Sequence, residues 1–320
     1  MSRQPADGQR GFALVAVLLV LAFVAVIGAE FAYSMRLEAT AARVYKETLI
    51  ATHLAEAAVE QAKRELAADI GSVGLGDDSD PGFDGECPIV FYGRDRVAIK
   101  RLPHKNVPLG GGQFTYCISD EEARLNLNNP PRTDAVPRLL EALGVEREDR
   151  DTIWGSLQDW RDSNEEHRLN GAESDDTYLQ LPVPYRAKNG PLDSVSELIQ
   201  VKGVTPKLMD GEGGRPGLAA FVTVRGQNRI NVNTARREVL KALGVSDAQF
   251  SQIEQTRRLG PVTSVQGFNV GGLSFNSTTF RIDAQGLVDG QVRARLTAIV
   301  QKRPGTGGET MVVLEWSGVR

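Results

Sequence analysis

The run from Phe12 to Ala29, FALVAVLLVLAFVAVIGA, limits the fold more than any other feature, because its eighteen residues carry no charge and no proline. As a helix it extends about 27 Å, close to the hydrocarbon thickness of a bilayer. It does not stop at the small-residue cleavage site that ends a secretory signal peptide. The pattern continues through Glu30, with no proline before Ile70 and with Ala51, Ala55, Ala58, Val59, Ala62 and Leu66 on the three-and-four spacing of one helical face. Unbroken, residues 12–69 form a rod of about 87 Å, the first part apolar all round and the rest amphipathic.

What precedes the apolar run is a short polar leader carrying Arg3, Asp7 and Arg10 and ending in Gly11. Cations on that side of the span predict an inward amino terminus and an outward bulk. A basic leader, a glycine, a phenylalanine and an apolar helix that turns amphipathic resemble the type IV prepilin signature. The resemblance implies cleavage between Gly11 and Phe12 by a prepilin peptidase, with N-methylation of Phe12. The alternative is a plain single-span anchor, which gives no reason for the Arg-Gly-Phe junction. Most pilins carry Glu at the fifth mature position, to pair with a neighbouring subunit's amine, but here that residue is Ala16. A carboxylate in lipid is costly unless paired, so its absence suits a subunit with no neighbour above it.

About 250 residues lie beyond the rod, enough for two cores. The formal charge of −4 supplies no attraction for nucleic acid or anionic lipid. Two cysteines, Cys87 and Cys117, are free to pair if the bulk is periplasmic, closing a loop worth about 3–4 kcal/mol. The alternative is two buried thiols. The glycine- and aspartate-rich stretch 71–86 ends the rod. Strand patterns follow at Pro88–Tyr92, Arg96–Leu102 and Gln113–Ser119, with Gly110–Gly112 as a turn, and again over 278–288, 291–302 and 309–318. Asp289-Gly290 is a tight-hairpin signal. Val292, Ala294, Leu296, Ala298 and Val300 alternate with polar residues, so one sheet face is buried, and the outer half of the rod is there to cover it. Between the strand regions, 136–145, 151–160, 193–201, 206–210 and 234–245 read as short helices, several stopped by glycine. Gly211–Gly217 reads as a flexible loop, and no repeat of fixed period is visible.

Four stretches in order, SDEEARLNLNN (119–129), DWRDSNEEHRLNGAESDDTYL (159–179), PYRAKNGPLDSVSEL (184–198) and NRINVNTARREVLKALG (228–244), together with the prepilin start, resemble the K-type minor pseudopilins of type II secretion systems. The resemblance implies an α+β, type IV pilin-like fold: a long N-terminal helix packed on an antiparallel sheet, with a large inserted α-helical domain. The divisions follow: leader 1–11, spine 12–70 with its transmembrane part at 12–29, first part of the pilin-like domain 71–124, insertion 125–276, and closing strands 277–320. It also implies a place in the inner membrane with the bulk periplasmic. There the I- and J-type minor pseudopilins are partners at the pseudopilus tip, in support of protein export.

Counted from Asp162, oxygen ligands fall at positions one, three (Asn164), five (Glu166), nine (Asn170) and twelve (Glu173), near the spacing of an EF-hand loop. His167 stands where the sharp turn needs glycine, so a regular EF-hand is not expected. A different loop using Asp159, Asp162, Asn164, Glu173 and Asp176 remains. Family members bind calcium in the insertion, which the resemblance carries to this loop. The alternative is a solvated acidic loop at a helix end. The segment around Lys202-Gly203-Val204 resembles half of a helix-hairpin-helix, but a nucleic-acid reading lacks a basic surface, and a turn between packed helices is the expectation. Asn233 or Thr234 is placed to cap the next helix. No catalytic motif appears, and no enzyme is expected. Two rival functions stand beside the K-type reading: a minor pilin of a type IV pilus or DNA-uptake system, and a membrane-anchored helix-hairpin-helix protein that binds nucleic acid.

Overall fold

The computed structural model of the chain describes residues 8–68, 70–76, 85–305 and 308–318. The leader residues Met1–Asp7, with Arg3 and Asp7, and most of the glycine- and aspartate-rich stretch (77–84) lie outside the described residues. One helix, α1 (Gly8–Leu66), runs through the Gly11–Phe12 junction without a break. It ends a few residues short of 70, with Lys63 and Arg64 in its last turn, where cations complement the carbonyl end of the helix.

Ser72–Leu75 (β1) pairs antiparallel with Ile89–Tyr92 (β2), so part of the expected rod-ending loop is strand. Arg96–Leu102 is not a strand. Only Ala98 bridges to Tyr92, because Arg96 turns the chain at φ 66° and Arg101 is drawn into the core to meet Glu65 at 3.0 Å. Val107–Leu109 (β3) and Gly112–Asp120 (β4) make a hairpin over Gly110-Gly111. With Thr279–Val288 (β11), Gln291–Gly305 (β12) and Gly308–Gly318 (β13) they form a five-stranded antiparallel sheet in the order β13-β12-β11-β4-β3. Asp289 and Gly290 both take positive φ in the β11–β12 turn, the mirror-image turn that suits twisted hairpins.

The outward half of α1 lies on this sheet. Ala51, Leu54, Ala55, Ala58, Val59, Ala62 and Leu66 are buried against Phe114, Tyr116 and Ile118 of β4, Phe280, Ile282 and Ala284 of β11, and Ala294 to Val300 of β12. Val292, the first residue of the alternating set, stays 38% exposed at the strand's start. Alanines let the helix come close to the sheet. A Cβ on Gly286 would overlap the Ala51 carbonyl oxygen.

Between β4 and β11 the chain builds a second core, from Leu125 to Leu273. Its elements in order are β5 (Leu125–Asn126), α2 (Ala135–Ala142), α3 (Arg147–Arg161), α4 (Pro206–Asp210), β6 (Gly211–Glu212), β7 (Arg215–Pro216), β8 (Val222–Thr223), β9 (Ile230–Asn231), α5 (Arg237–Ala242), α6 (Asp247–Leu259) and β10 (Leu273–Ser274). Four local expectations are corrected. Residues 195–200 are 3-10 rather than α, started by a Ser194–Glu197 capping box. Gly211–Gly217 is a small hairpin, because Gly211, Gly213 and Gly214 take positive φ and its strands touch where a Cβ would not fit. The α5 N-cap is Arg236, not Asn233 or Thr234. Helix α6, capped by Ser246 and Gln249, has no counterpart among the expected helices.

This core is two related units in tandem. In each, a strand with the pattern Arg-Φ-Asn-Φ-Asn (124–128, 229–233; Φ apolar) leads to a helix ending Ala-Leu-Gly-Val (142–145, 242–245). A second helix follows, and later a Gly-Pro pair (190–191, 260–261). The strands pair in parallel with a closing strand, β5 with β8 and β9 with β10. Both glycines of the helix ends have positive φ, 81° and 95°, and Val145 and Val245 each donate their N–H five residues back, to Leu140 and Leu240. Asn128 bonds the backbone of Leu192 and Val224, and Asn233 bonds Val262 and Phe275 in the same way. The separation is 105 residues at the asparagines (128 to 233), 100 at the glycines (144 to 244) and 70 at the Gly-Pro pairs (190 to 260). No fixed period exists, so a search for one misses the repeat.

Candidate functional sites: the exposed spine and the acidic loop

Every residue of α1 from Phe12 to Lys46 is exposed, a free helical arm of about 52 Å. Its first half is the apolar run, and among the described residues α1 is the one helix long and apolar enough to cross a membrane. Burial begins at Glu47, whose carboxylate meets Arg43 at 2.6 Å and Arg293 at 3.2 Å. Ala16 and Phe12 both lie on the free arm, with Phe12 78% exposed.

At the junction of the two cores, three consecutive acids are buried, and the SDEEARLNLNN stretch owes its composition to them. Asp120 accepts hydrogen bonds from Thr234 Oγ1 (2.5 Å), Ser277 Oγ (2.6 Å), Asn231 Nδ2 (3.0 Å) and the Glu122 amide (2.8 Å). Glu121 meets Arg281 and Arg124 at 2.5 and 2.6 Å. Glu122 accepts the amides of Thr278 and Thr279. The strand leaving the sheet is thereby tied to the strand returning to it. Burial, with Glu122 nearby, pushes Asp120 up to about 6 against the pull of Ser277 and Thr234. These acids are structural.

Cys87 and Cys117 are joined, with sulfurs 2.11 Å and Cα atoms 5.4 Å apart, which fastens the segment before β2 to β4.

The acidic loop hangs from the end of α3. Asp159, in the last turn, is fully buried and accepts the amides of Arg168 (3.1 Å) and Ala172 (2.9 Å). The Arg168 guanidinium bonds Asp159 at 2.8 Å and also Asp162. Glu173 is 2% exposed, and neither of its carboxylate oxygens has a hydrogen-bond partner. Burial first, then Asp159, Glu165, Asp162 and Asp176, raise it to about 7. Asn164 faces solvent and caps the Glu166 amide, while Asp176 accepts the Glu173 amide and lies 3.1 Å from His167.

The structure therefore gathers Asp159, Asp162 and Glu173, sets Asp176 at the margin and leaves Asn164 outside. It adds Glu165, which accepts from Ser174 and Asn189 and which spacing alone did not single out. Among the described residues no three His, Cys, Asp or Glu side chains converge as ready ligands. The donors still fit a hard cation, because hard cations take carboxylate oxygens and Glu173 offers two buried ones with nothing to accept. Arg168 holds the charge of the other two.

The turn that resembles a helix-hairpin-helix is used internally. The Lys202 amide donates to Tyr178 Oη and the Val204 amide to Val201, and Gly203 lies against Ile153. No row of free amides faces outward for a phosphate.

A long helix, apolar then amphipathic, laid on an antiparallel sheet defines the pilin-like class, here with a second core inserted between two strands. The family model described as type II secretion system (T2SS), protein K, matches residues 121–211. Type II secretion system protein K of Klebsiella pneumoniae is 29% identical over 81% of this chain and 78% of its own length. That of Pseudomonas aeruginosa is 28% identical over 74% and 68%, and that of Pectobacterium carotovorum 33% identical over 33% of this chain and only 36% of its own. A chain of the crystal structure of the GspK-GspI-GspJ complex from the enterotoxigenic Escherichia coli type 2 secretion system superposes with a TM-score of 0.60 at 19% identity, covering 88% of this chain and 99% of that one. Residues 121–211 thus match the protein K model of type II secretion systems, and the chain as a whole is similar to protein K and has the fold of that minor pseudopilin.

Proposed function

We propose that the chain is cut between Gly11 and Phe12 by a prepilin peptidase, methylated at Phe12, and held in the inner membrane by residues 12–29 with both cores in the periplasm. It joins I- and J-type minor pseudopilins at the pseudopilus tip and starts or caps the fibre that supports export across the outer membrane. The observation that carries this is the bare arm. Thirty-five residues of α1, Phe12 to Lys46, are exposed, with Arg43 near the sheet at Glu47 and Asp289, and the apolar face of such an arm is stable only against lipid or other helices. Ala16 supplies no carboxylate for a subunit above, and the second core adds bulk that obstructs one. The related solved complex holds three different subunits, as its name states, in keeping with an assembly role rather than a chemical one. An oxidising periplasm keeps Cys87–Cys117 closed. The acidic loop takes calcium through Asp159, Asp162 and Glu173, with Asp176 at its margin, where it would neutralise carboxylates that otherwise repel.

The test is to express the full chain with the peptidase and the I- and J-type subunits encoded nearby, and to purify it in detergent. The expected result is a one-to-one-to-one complex whose chain has lost residues 1–11 and gained one methyl group. Retention of the leader, or correctly folded partners that do not bind, would contradict the reading.

A further inference from the structure

We propose that Arg168 is an internal stand-in for a divalent cation, bridging Asp159 and Asp162 in the ion-free loop and leaving when calcium takes those carboxylates together with Glu173. This rests on the calcium reading above and adds what that reading lacks, a competitor built into the chain.

The geometry separates the three carboxylates into two classes. Asp159 and Asp162 share one guanidinium, whereas Glu173, buried beside them, receives no hydrogen bond on either oxygen. Both bonds come from one nitrogen, Nη1, so one donor group carries the positive charge between the two aspartates and reaches no third carboxylate. A spherical dication takes oxygens from any direction, at 2.3–2.6 Å for calcium, and has room for a third carboxylate. The orphaned Glu173 is what remains when a single donor nitrogen stands where a dication would take all three carboxylates.

Arg168 is also placed to leave. Its side chain is 43% exposed, against 0% for Asp159, so it swings into water while the carboxylates stay where α3 holds them. Its backbone amide remains on Asp159, which keeps the loop closed in either state. The second unit supplies the contrast. There α6 ends at Leu259 and the chain passes directly to Gly260-Pro261, without the segment that separates Arg161 from Gly190-Pro191. The unit closes without such a loop, so the loop serves something other than closure.

A cation that must displace an arginine binds more weakly than one entering an open carboxylate cage, and the occupied and empty loops both remain ordered. The experiment is calcium titration of the full-length chain in detergent by calorimetry, with melting temperature read in EDTA and in calcium, for wild type, R168Q, R168K and E173Q. R168Q is expected to bind calcium about tenfold more tightly than wild type, because the competing charge-assisted bonds are gone. It should also melt lower than wild type in EDTA and recover in calcium. R168K, which keeps the charge, should bind like wild type, and E173Q should lose most of the affinity while keeping its melting temperature in EDTA. R168Q binding no more tightly than wild type, while wild type binds calcium, would overturn the role of Arg168 and leave the calcium reading standing. Absence of calcium binding in wild type and R168Q alike, with both folded, would overturn both.

Discussion

Glu65 and Arg101 show what single residues do in this molecule. Glu65 lies near the end of the buried face of α1, and its carboxylate receives Arg101 at 3.0 Å and Tyr116 Oη at 2.9 Å, both buried, and the Leu102 amide at 3.1 Å. A buried pair adds little net stability, but removing one partner strands the other. Arg101→Met should therefore cost about 3–5 kcal/mol in denaturant unfolding, and Glu65→Gln with Arg101→Met together should recover much of it. Asp120 makes a different prediction. Its carboxyl is raised from 3.8 to about 6 in the fold, so the folded state holds the proton more tightly than the unfolded chain. That contribution is complete below pH 4 and is lost as pH rises through 6, on the order of 3 kcal/mol. Melting temperature should fall between pH 4 and pH 7, and Asp120→Asn should be less stable at pH 4 and fall less steeply over that range, the remaining slope coming from groups such as Glu173 that are raised as well. An unchanged slope in the variant would assign the pH dependence to other groups. Neither residue's role was legible in sequence. Glu65 and Arg101 are 36 residues apart, and Asp120 meets partners at 231, 234 and 277, so only the closed fold brings them together.

At the scale of elements, the packing of α1 on the sheet depends on close approach at Gly286. A Cβ there has the Ala51 carbonyl in its way, so Gly286→Ala must lift the helix from β11 and should destabilise by about 1–3 kcal/mol, read as a lower urea midpoint. Elements set by strong periodicity or by a turn signal were legible: the spine from its small-residue face, β11 and β12 from alternation around Asp289-Gly290. Elements set by partners were not. Residues 96–102 have strand composition, yet Arg101 turns inward and the run forms one bridge. Helix α6 is polar, with Ile253 as its buried residue, and gave almost no apolar stripe to read. The tandem units hid because the acidic loop and the α4 segment interrupt the first of them. Of the acidic loop, its carboxylates were legible from spacing, whereas Arg168, Glu165 and the exclusion of Asn164 depend on how the loop folds back over α3.

For the whole molecule, the Cys87–Cys117 bond closes a long loop and ties the segment before β2 to β4. Reduction should lower stability by about 3–4 kcal/mol in the chain-entropy account, seen as a drop in melting temperature on adding dithiothreitol. Two features define the larger design: a long exposed arm whose apolar face has no cover in its own chain, and a double-unit core grafted between β4 and β11 that enlarges the head the arm carries. The first suits entry into a bundle of like helices, and the second suits ending it. The most direct test of that account is to determine, by labelling this subunit in isolated pseudopili, how many copies each fibre contains and where they lie. The account predicts one copy at one end, with a chain that begins at methylated Phe12. Copies repeated along the shaft would contradict it.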